Sequence, residues 1–156
     1  MALVRQHSKP SKNSERGNAM IEFAISWVVI WLVFTGVYQF GYSFYVYNAL
    51  QTAASDAAQL GAKMNYDTSS PSTFTDSVTN MVVYGDTTAG QNAKPIVLGL
   101  TAANVNVTVN PADAMPTDIT VTIKNFQVDA LFTKFTFDGK PRATAAYMGH
   151  VTCSGC

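Results

Sequence analysis

Two places in this sequence combine residue types and spacing that could do chemistry. Cys153-Ser154-Gly155-Cys156 sets two thiols three positions apart, and His150 stands three positions before the first of them. Thiols so spaced can cycle between dithiol and disulfide, and with an imidazole they could contribute to a metal site. A redox pair needs its first thiolate stabilised, often at a helix N-terminus, and these residues offer no such helix. A metal site would lack an evident fourth ligand, so no metal and no cofactor are expected. In an oxidising compartment the expectation is a disulfide between Cys153 and Cys156. The second place is Glu22, the one charged residue between Arg16 and Asp56, at the start of an apolar run. A carboxylate there is costly if the run enters hydrocarbon, so something must meet it. There is no G-x-S-x-G, H-E-x-x-H or phosphate-cradling glycine loop, and an enzyme is not expected.

The run that carries Glu22 decides where the chain works. From Phe23 to Ser55 there is no Asp, Glu, Lys or Arg, and Ala24 to Phe40 is dominated by Ile, Val, Trp, Leu and Phe. A helix needs about 20 mostly apolar residues to cross a bilayer. Tyr38, Tyr42, Tyr45 and Tyr47 follow as an aromatic belt would at the far interface. The net charge is zero, but residues 1–17 hold Arg5, Lys9, Lys12 and Arg16 against Glu15 alone. Positive charge before a spanning segment places the N-terminus in the cytoplasm and the C-terminal part outside it. No basic patch occurs elsewhere, which argues against nucleic acid as a partner. A conventional secretory signal fits less well, because its apolar stretch is about 7–15 residues and ends at an A-x-A-like site. Here the run is longer, and Ala53-Ala54-Ser55 lies well beyond it.

The remaining pattern predicts an α+β protein. Residues 1–16 are polar and basic, as in disordered segments. Val46, Ala49, Leu50, Ala53, Ala57, Leu60 and Met64 recur every three or four positions opposite Asn48, Gln51, Ser55, Gln59 and Lys63. An amphipathic helix over 43–65 therefore continues a transmembrane helix over 18–42. Ser70-Pro71 starts a second helix through Phe74, Val78 and Met81 to Gly85. Residues 86–103 read as a loop. Val105, Val107 and Val109 alternate with polar residues up to a turn at Asn110-Pro111, and Ile119, Val121 and Ile123 alternate likewise. The apolar phase shifts at Asn125 as at a bulge, Asp138-Gly139 marks a turn, and Pro141–Val151 reads as a last strand. Long helix, second helix and small antiparallel sheet, with residues 66–156 as the exported domain, make the fold.

Arg16-Gly17-Asn18-Ala19-Met20-Ile21-Glu22-Phe23-Ala24 resembles the start of TadE-like pseudopilins of the tight-adherence (Tad) pilus system, in the type IV pilin-like superfamily. The likeness continues through N-A-L-Q-T-A-A-S-D-A-A-Q-L-G-A-K and returns in A-T-A-A-Y-M near the C-terminus. One departure is that no proline follows E-F-A. The resemblance implies a pilin-like fold and cleavage by prepilin peptidase between Gly17 and Asn18, which removes residues 1–17. It implies that Glu22 serves assembly and that Phe23 belongs to the recognition motif. A freed ammonium on Asn18 of one subunit would then meet Glu22 of another inside an apolar bundle. Such a pair is tolerated where a lone charge is not, and it fixes register.

The expected protein is thus a minor pilin-like structural subunit, single-pass in the bacterial inner membrane. Its expected partners are prepilin peptidase, other pilin and pseudopilin subunits, the pilus assembly machinery and the lipid bilayer. The alternative is an uncleaved, membrane-anchored periplasmic binding module. A tethered thiol oxidoreductase would rest on the Cys pair alone.

Overall fold

The computed structural model describes residues 12–89, 93–112, 115–129, 134–149 and 151–152, with backbone alone at 12–16, 111–112, 115 and 151–152. The expected pair Cys153 and Cys156, and His150 beside it, lie outside the described residues. The chain divides into two compact units, Met1–Phe40 and Gly41–Cys156. Helix α1 runs Lys12–Lys63 and supplies all of the first unit that is described and the opening of the second. No proline occurs between Pro10 and Pro71 to interrupt it, and Lys63 in its last turn suits the negative end of the helix dipole. The backbone of Lys12–Arg16 is helical, where the polar composition had predicted disorder. Five residues of a sequence that binds no core can still extend a helix already nucleated downstream, since propagation is cheap once a first turn exists.

In the second unit the buried stripe of α1 is Val46, Leu50, Ala53, Ala54, Ala57, Ala58 and Ala62. Small side chains let neighbours approach closely. A Cβ on Gly61 would stand 3.1 Å from Val78 Cγ2 and 3.4 Å from Ile119 Cδ1, so α1 meets both the second helix and the sheet there. The stripe is rotated from the predicted one: Ala54, Ala58 and Ala62 join it, while Ala49, Leu60 and Met64 are only half-buried. Tyr47 leaves the expected aromatic belt and packs its ring 5.7 Å from that of Phe137.

Helix α2, Pro71–Tyr84, buries Phe74, Val78, Val82 and Val83. Pro71 holds its first turn, as predicted, but the Ser70 side chain makes no capping bond. Instead the Ser70 carbonyl accepts the Thr73 N–H at 3.2 Å. Gly85 ends the helix at φ 75°, a left-handed conformation that glycine adopts without steric cost. On either side of α2, Asp67 Oδ1 accepts the Ser69 hydroxyl and N–H at 2.6 and 2.8 Å, and Asp86 Oδ1 accepts the Thr88 N–H and hydroxyl at 2.9 and 3.0 Å. These donors stabilise the ionised forms and hold both carboxyls below their ordinary range.

The segment after α2 is more than a bare loop: Val97 and Leu100 are buried in the core. A short 3-10 turn, Ala102–Asn104, leads into the strands. Strand β1 is Tyr66–Asp67, and β2 to β7 are Val105–Ala112, Met115–Ile123, Phe126–Asp129, Lys134–Phe137, Arg142–Ala146 and Val151–Thr152. The main sheet is antiparallel in the order β2-β3-β6, with a β4-β5 hairpin and a parallel β1-β7 pair beside it. The predicted register of valines against isoleucines is present, with Val105, Val107 and Val109 opposite Ile123, Val121 and Ile119.

Three predicted details differ. Asn110-Pro111 does not turn the chain: β2 continues to Ala112 through a register shift between these residues, a position where a missing N–H is tolerated. Asn125, at φ 50°, breaks the strand instead of bulging it, so that Phe126 and Val128 join a separate hairpin. The last strand is interrupted between Ala146 and Val151. Thr120 and Thr122, which alternate with the isoleucines and valine of β3, are buried as well. They sit on the central strand, each flanked by cross-strand neighbours from β2 and β6, and Thr120 and Thr144 share a hydroxyl hydrogen bond of 2.9 Å.

The interruption after β6 has a purpose. The Met148 N–H donates to the Ala62 carbonyl at 2.8 Å, and the Tyr147 hydroxyl donates to the Met64 carbonyl at 3.0 Å while accepting the Tyr66 N–H at 2.9 Å. Carbonyls orphaned at the end of α1 are thereby satisfied by the strand that returns to it. Gly149 completes the approach, since a Cβ there would collide with the Met64 carbonyl oxygen. Tyr147→Phe is expected to cost about 1–3 kcal/mol, because two part-buried backbone groups lose their partner. Denaturant unfolding of the detergent-solubilised chain checks this. Tyr45→Phe, at a ring 70% exposed, should stay within about 0.5 kcal/mol of the parent.

Candidate functional site

Of the residues singled out by the sequence, those described lie in the first unit, on α1. Gly17, Asn18, Glu22 and Phe23 are all exposed there, and Phe23 stacks on Trp27 with ring centroids 6.4 Å apart. The helix neighbours of Glu22, three and four positions away, are Asn18, Ala19, Ile25 and Ser26, none of them charged. Among the described side chains the one ion pair is Lys134–Asp129 at 3.3 Å, in the other unit. Glu22 therefore has no cation of its own among the described residues.

Around it the helix is apolar on every side. Met20, Ile21, Ile25, Trp27, Val28, Val29, Ile30, Trp31, Leu32, Val33 and Phe34 are each more than half exposed. Among the described residues α1 is the one helix long and apolar enough to cross a bilayer. The interior polar side chain Thr35 donates its hydroxyl to the Trp31 carbonyl at 2.8 Å, which keeps it satisfied without water. Sequence reading passed over Thr35, although an isolated threonine inside an apolar helix is the signal for such a bond.

Gly17 needs a reason that the fold does not supply. A Cβ placed on it meets nothing within 4 Å, and its backbone is helical. Glycine inside a helix costs about 0.5–1 kcal/mol relative to alanine. Gly36 and Gly41 also have open space, but they lie in or beside the apolar run, where small residues serve helix–helix packing.

The spacing Gly17 to Glu22, the exposed apolar helix and the small-residue stripe together bear on the family. Residues 17–59 match the family model described as TadE-like protein. Over that segment the chain is similar to TadE-like proteins. The match covers the helix that holds Gly17, Asn18, Glu22 and Phe23, and stops before the sheet. No curated protein and no solved structure matches the chain. A TadE-like segment supports a Tad pilus-associated, pilin-like protein that interacts with other pilus subunits, in a family of structural components. With the apolar helix it supports a single-pass, membrane-anchored protein. Gly17→Ala is expected to leave the helical circular-dichroism signal and the thermal midpoint of the purified chain unchanged or slightly raised. A fall in either would assign Gly17 to the fold.

Proposed function

We propose that this chain is a minor pilin-like subunit of a tight-adherence pilus, cut by prepilin peptidase after Gly17 and assembled through Glu22. The observation that carries the proposal is a helical carboxylate with no cation beside it among the described residues, five positions after a glycine the fold does not require. Cleavage there creates an ammonium on Asn18. That ammonium and the Glu22 of a neighbouring subunit form the pair that lets both charges enter an apolar helical bundle. The TadE-like match over residues 17–59 supports the same reading. The N-terminus faces the cytoplasm and residues 66–156 lie across the inner membrane, which follows from the basic residues ahead of the apolar run.

Intact mass of the protein recovered from membranes tests the cleavage. The parent should lack residues 1–17, and Gly17→Val should accumulate as a membrane-inserted precursor. A parent chain that keeps those residues would favour the anchored, uncleaved binding module. Glu22→Gln keeps nearly the same volume and removes the charge. It should still be cut, but a neighbour's ammonium is left buried and unpaired, at a cost of roughly 3–5 kcal/mol in the assembly. Co-purification with the pilus machinery should then fall by roughly a hundredfold or more. Normal incorporation of Glu22→Gln would remove the pairing role.

Protease added to spheroplasts should digest residues 66–156 and spare a tag placed at the N-terminus of the Gly17→Val precursor. The opposite pattern would invert the topology.

A further inference from the structure

The segment between α2 and β2 holds out an apolar tip. It is pinned at both ends: the Ile96 N–H donates to the Val83 carbonyl at 2.7 Å, and Val97 and Leu100 are buried. Between them the Leu100 N–H donates to the Val97 carbonyl at 3.1 Å, with Gly99 at φ 84°. That is the geometry of a type II turn, whose third position requires positive φ. Leu98 occupies its outer corner and is 88% exposed, more than any other large apolar side chain among the described residues. Ile96 beside it is 48% exposed. A scattered surface leucine needs no explanation. A turn whose flanks are anchored in the core, and whose corner is a bare leucine, does.

The position of the tip identifies what covers it. Leu98 shares a cleft with Tyr42, and Ile96 shares another with Tyr45. Tyr42 follows Phe40, the last residue of the apolar unit, by two positions. That is about 3 Å of helix rise, so Tyr42 marks the level at which the run leaves the hydrocarbon. We propose that the Ile96–Leu98 tip is a second membrane contact, with Leu98 inserted into the interfacial layer of the bilayer that α1 crosses, beside Tyr42 and Tyr45. The proposal rests on the single-pass reading. Lys94, exposed at the start of the segment, has the long apolar stem and cationic head that suit a phosphate headgroup. Asp129, which lines the Leu98 cleft, is engaged by Lys134, so its charge toward the lipid is offset.

The test places single labels on the full chain, reconstituted in phosphatidylcholine vesicles with Cys153 and Cys156 changed to Ser. An environment-sensitive fluorophore on Leu98→Cys should emit to the blue. It should also be quenched several-fold more by shallow doxyl-labelled lipid than the same fluorophore on Ser72→Cys, at the start of α2. Trp27 and Trp31 serve as the internal reference, since deep doxyl-labelled lipid quenches them only if α1 is inserted. Quenched tryptophans with an unquenched label at 98 would overturn the membrane contact and leave the anchor standing. A label at 98 that is shielded only at high protein density, and is indifferent to doxyl lipid, would assign the tip to a second copy and overturn the proposal equally. If the tryptophans themselves are unquenched, the single-pass reading fails, and the contact with it.

Discussion

A backbone that enters hydrocarbon has no water to satisfy its amides, and a single segment can meet that demand only as a helix. That requirement underlies α1. The residues around Trp27 and Trp31 are bare on every face, so their helicity owes nothing to a core and depends on closed backbone bonds, while Thr35 satisfies its own hydroxyl on the Trp31 carbonyl. The same helix then serves as the base of the C-terminal domain, where its outer composition changes from Val, Trp and Phe to Ala and Gly. Large side chains suit a surface that meets lipid or other helices. Small ones suit a surface that α2 and β3 must approach to within side-chain contact at Gly61.

Once the helix is given, the domain has to finish it. The end of α1 leaves carbonyls that would otherwise be orphaned, and the chain satisfies them from more than 80 positions away through Tyr147 and Met148. The contact falls where the strand β6 ends: the Tyr147 N–H still donates to the Thr117 carbonyl at 2.9 Å, and the next N–H, that of Met148, turns to Ala62. Thus A-T-A-A-Y-M, one of the stretches on which the family resemblance rests, has a physical task in this molecule. It locks the end of β6 to the helix at a place the TadE-like match does not reach.

What could be read from the sequence was what periodicity and local chemistry control. The buried stripe of α1, the start of α2 at Pro71 and its end at Gly85, and the Val–Ile pairing of β2 with β3 all follow from spacing or backbone preference. The misreadings share a different cause. Asn110-Pro111 is a turn by composition, yet pairing on both sides carries β2 through it with only a register shift. The segment from 86 to 103 is a loop by composition, yet Val97 and Leu100 complete the core. In each case tertiary context outweighs a local preference worth about 1 kcal/mol or less. Of the candidate site, Gly17, Glu22 and the apolar run stand out in the sequence because each is a residue or stretch out of place, whereas Tyr147 and Leu98 stand out only through what the fold brings beside them.

Glu22 and Gly17 have in common that each is a local disadvantage with no internal compensation. The glycine weakens a helix without admitting a close neighbour, and the carboxylate interrupts an apolar surface without meeting a cation among the described residues. A sequence optimised for the isolated chain would hold alanine at one position and leucine at the other. Violations of local consistency concentrate where a protein meets something else. The two violations here are five residues apart on one helix, which ties them to events at the same end of it. In the proposed function one event is recognition of backbone, for which a missing side chain is an advantage. The other is recognition of charge, for which a carboxylate in an apolar setting is highly specific, because no uncharged neighbour can substitute for the cation that it requires. A chain that is cut at the first and paired through the second cannot assemble before it has been processed, since the matching ammonium does not exist until the bond after Gly17 is broken.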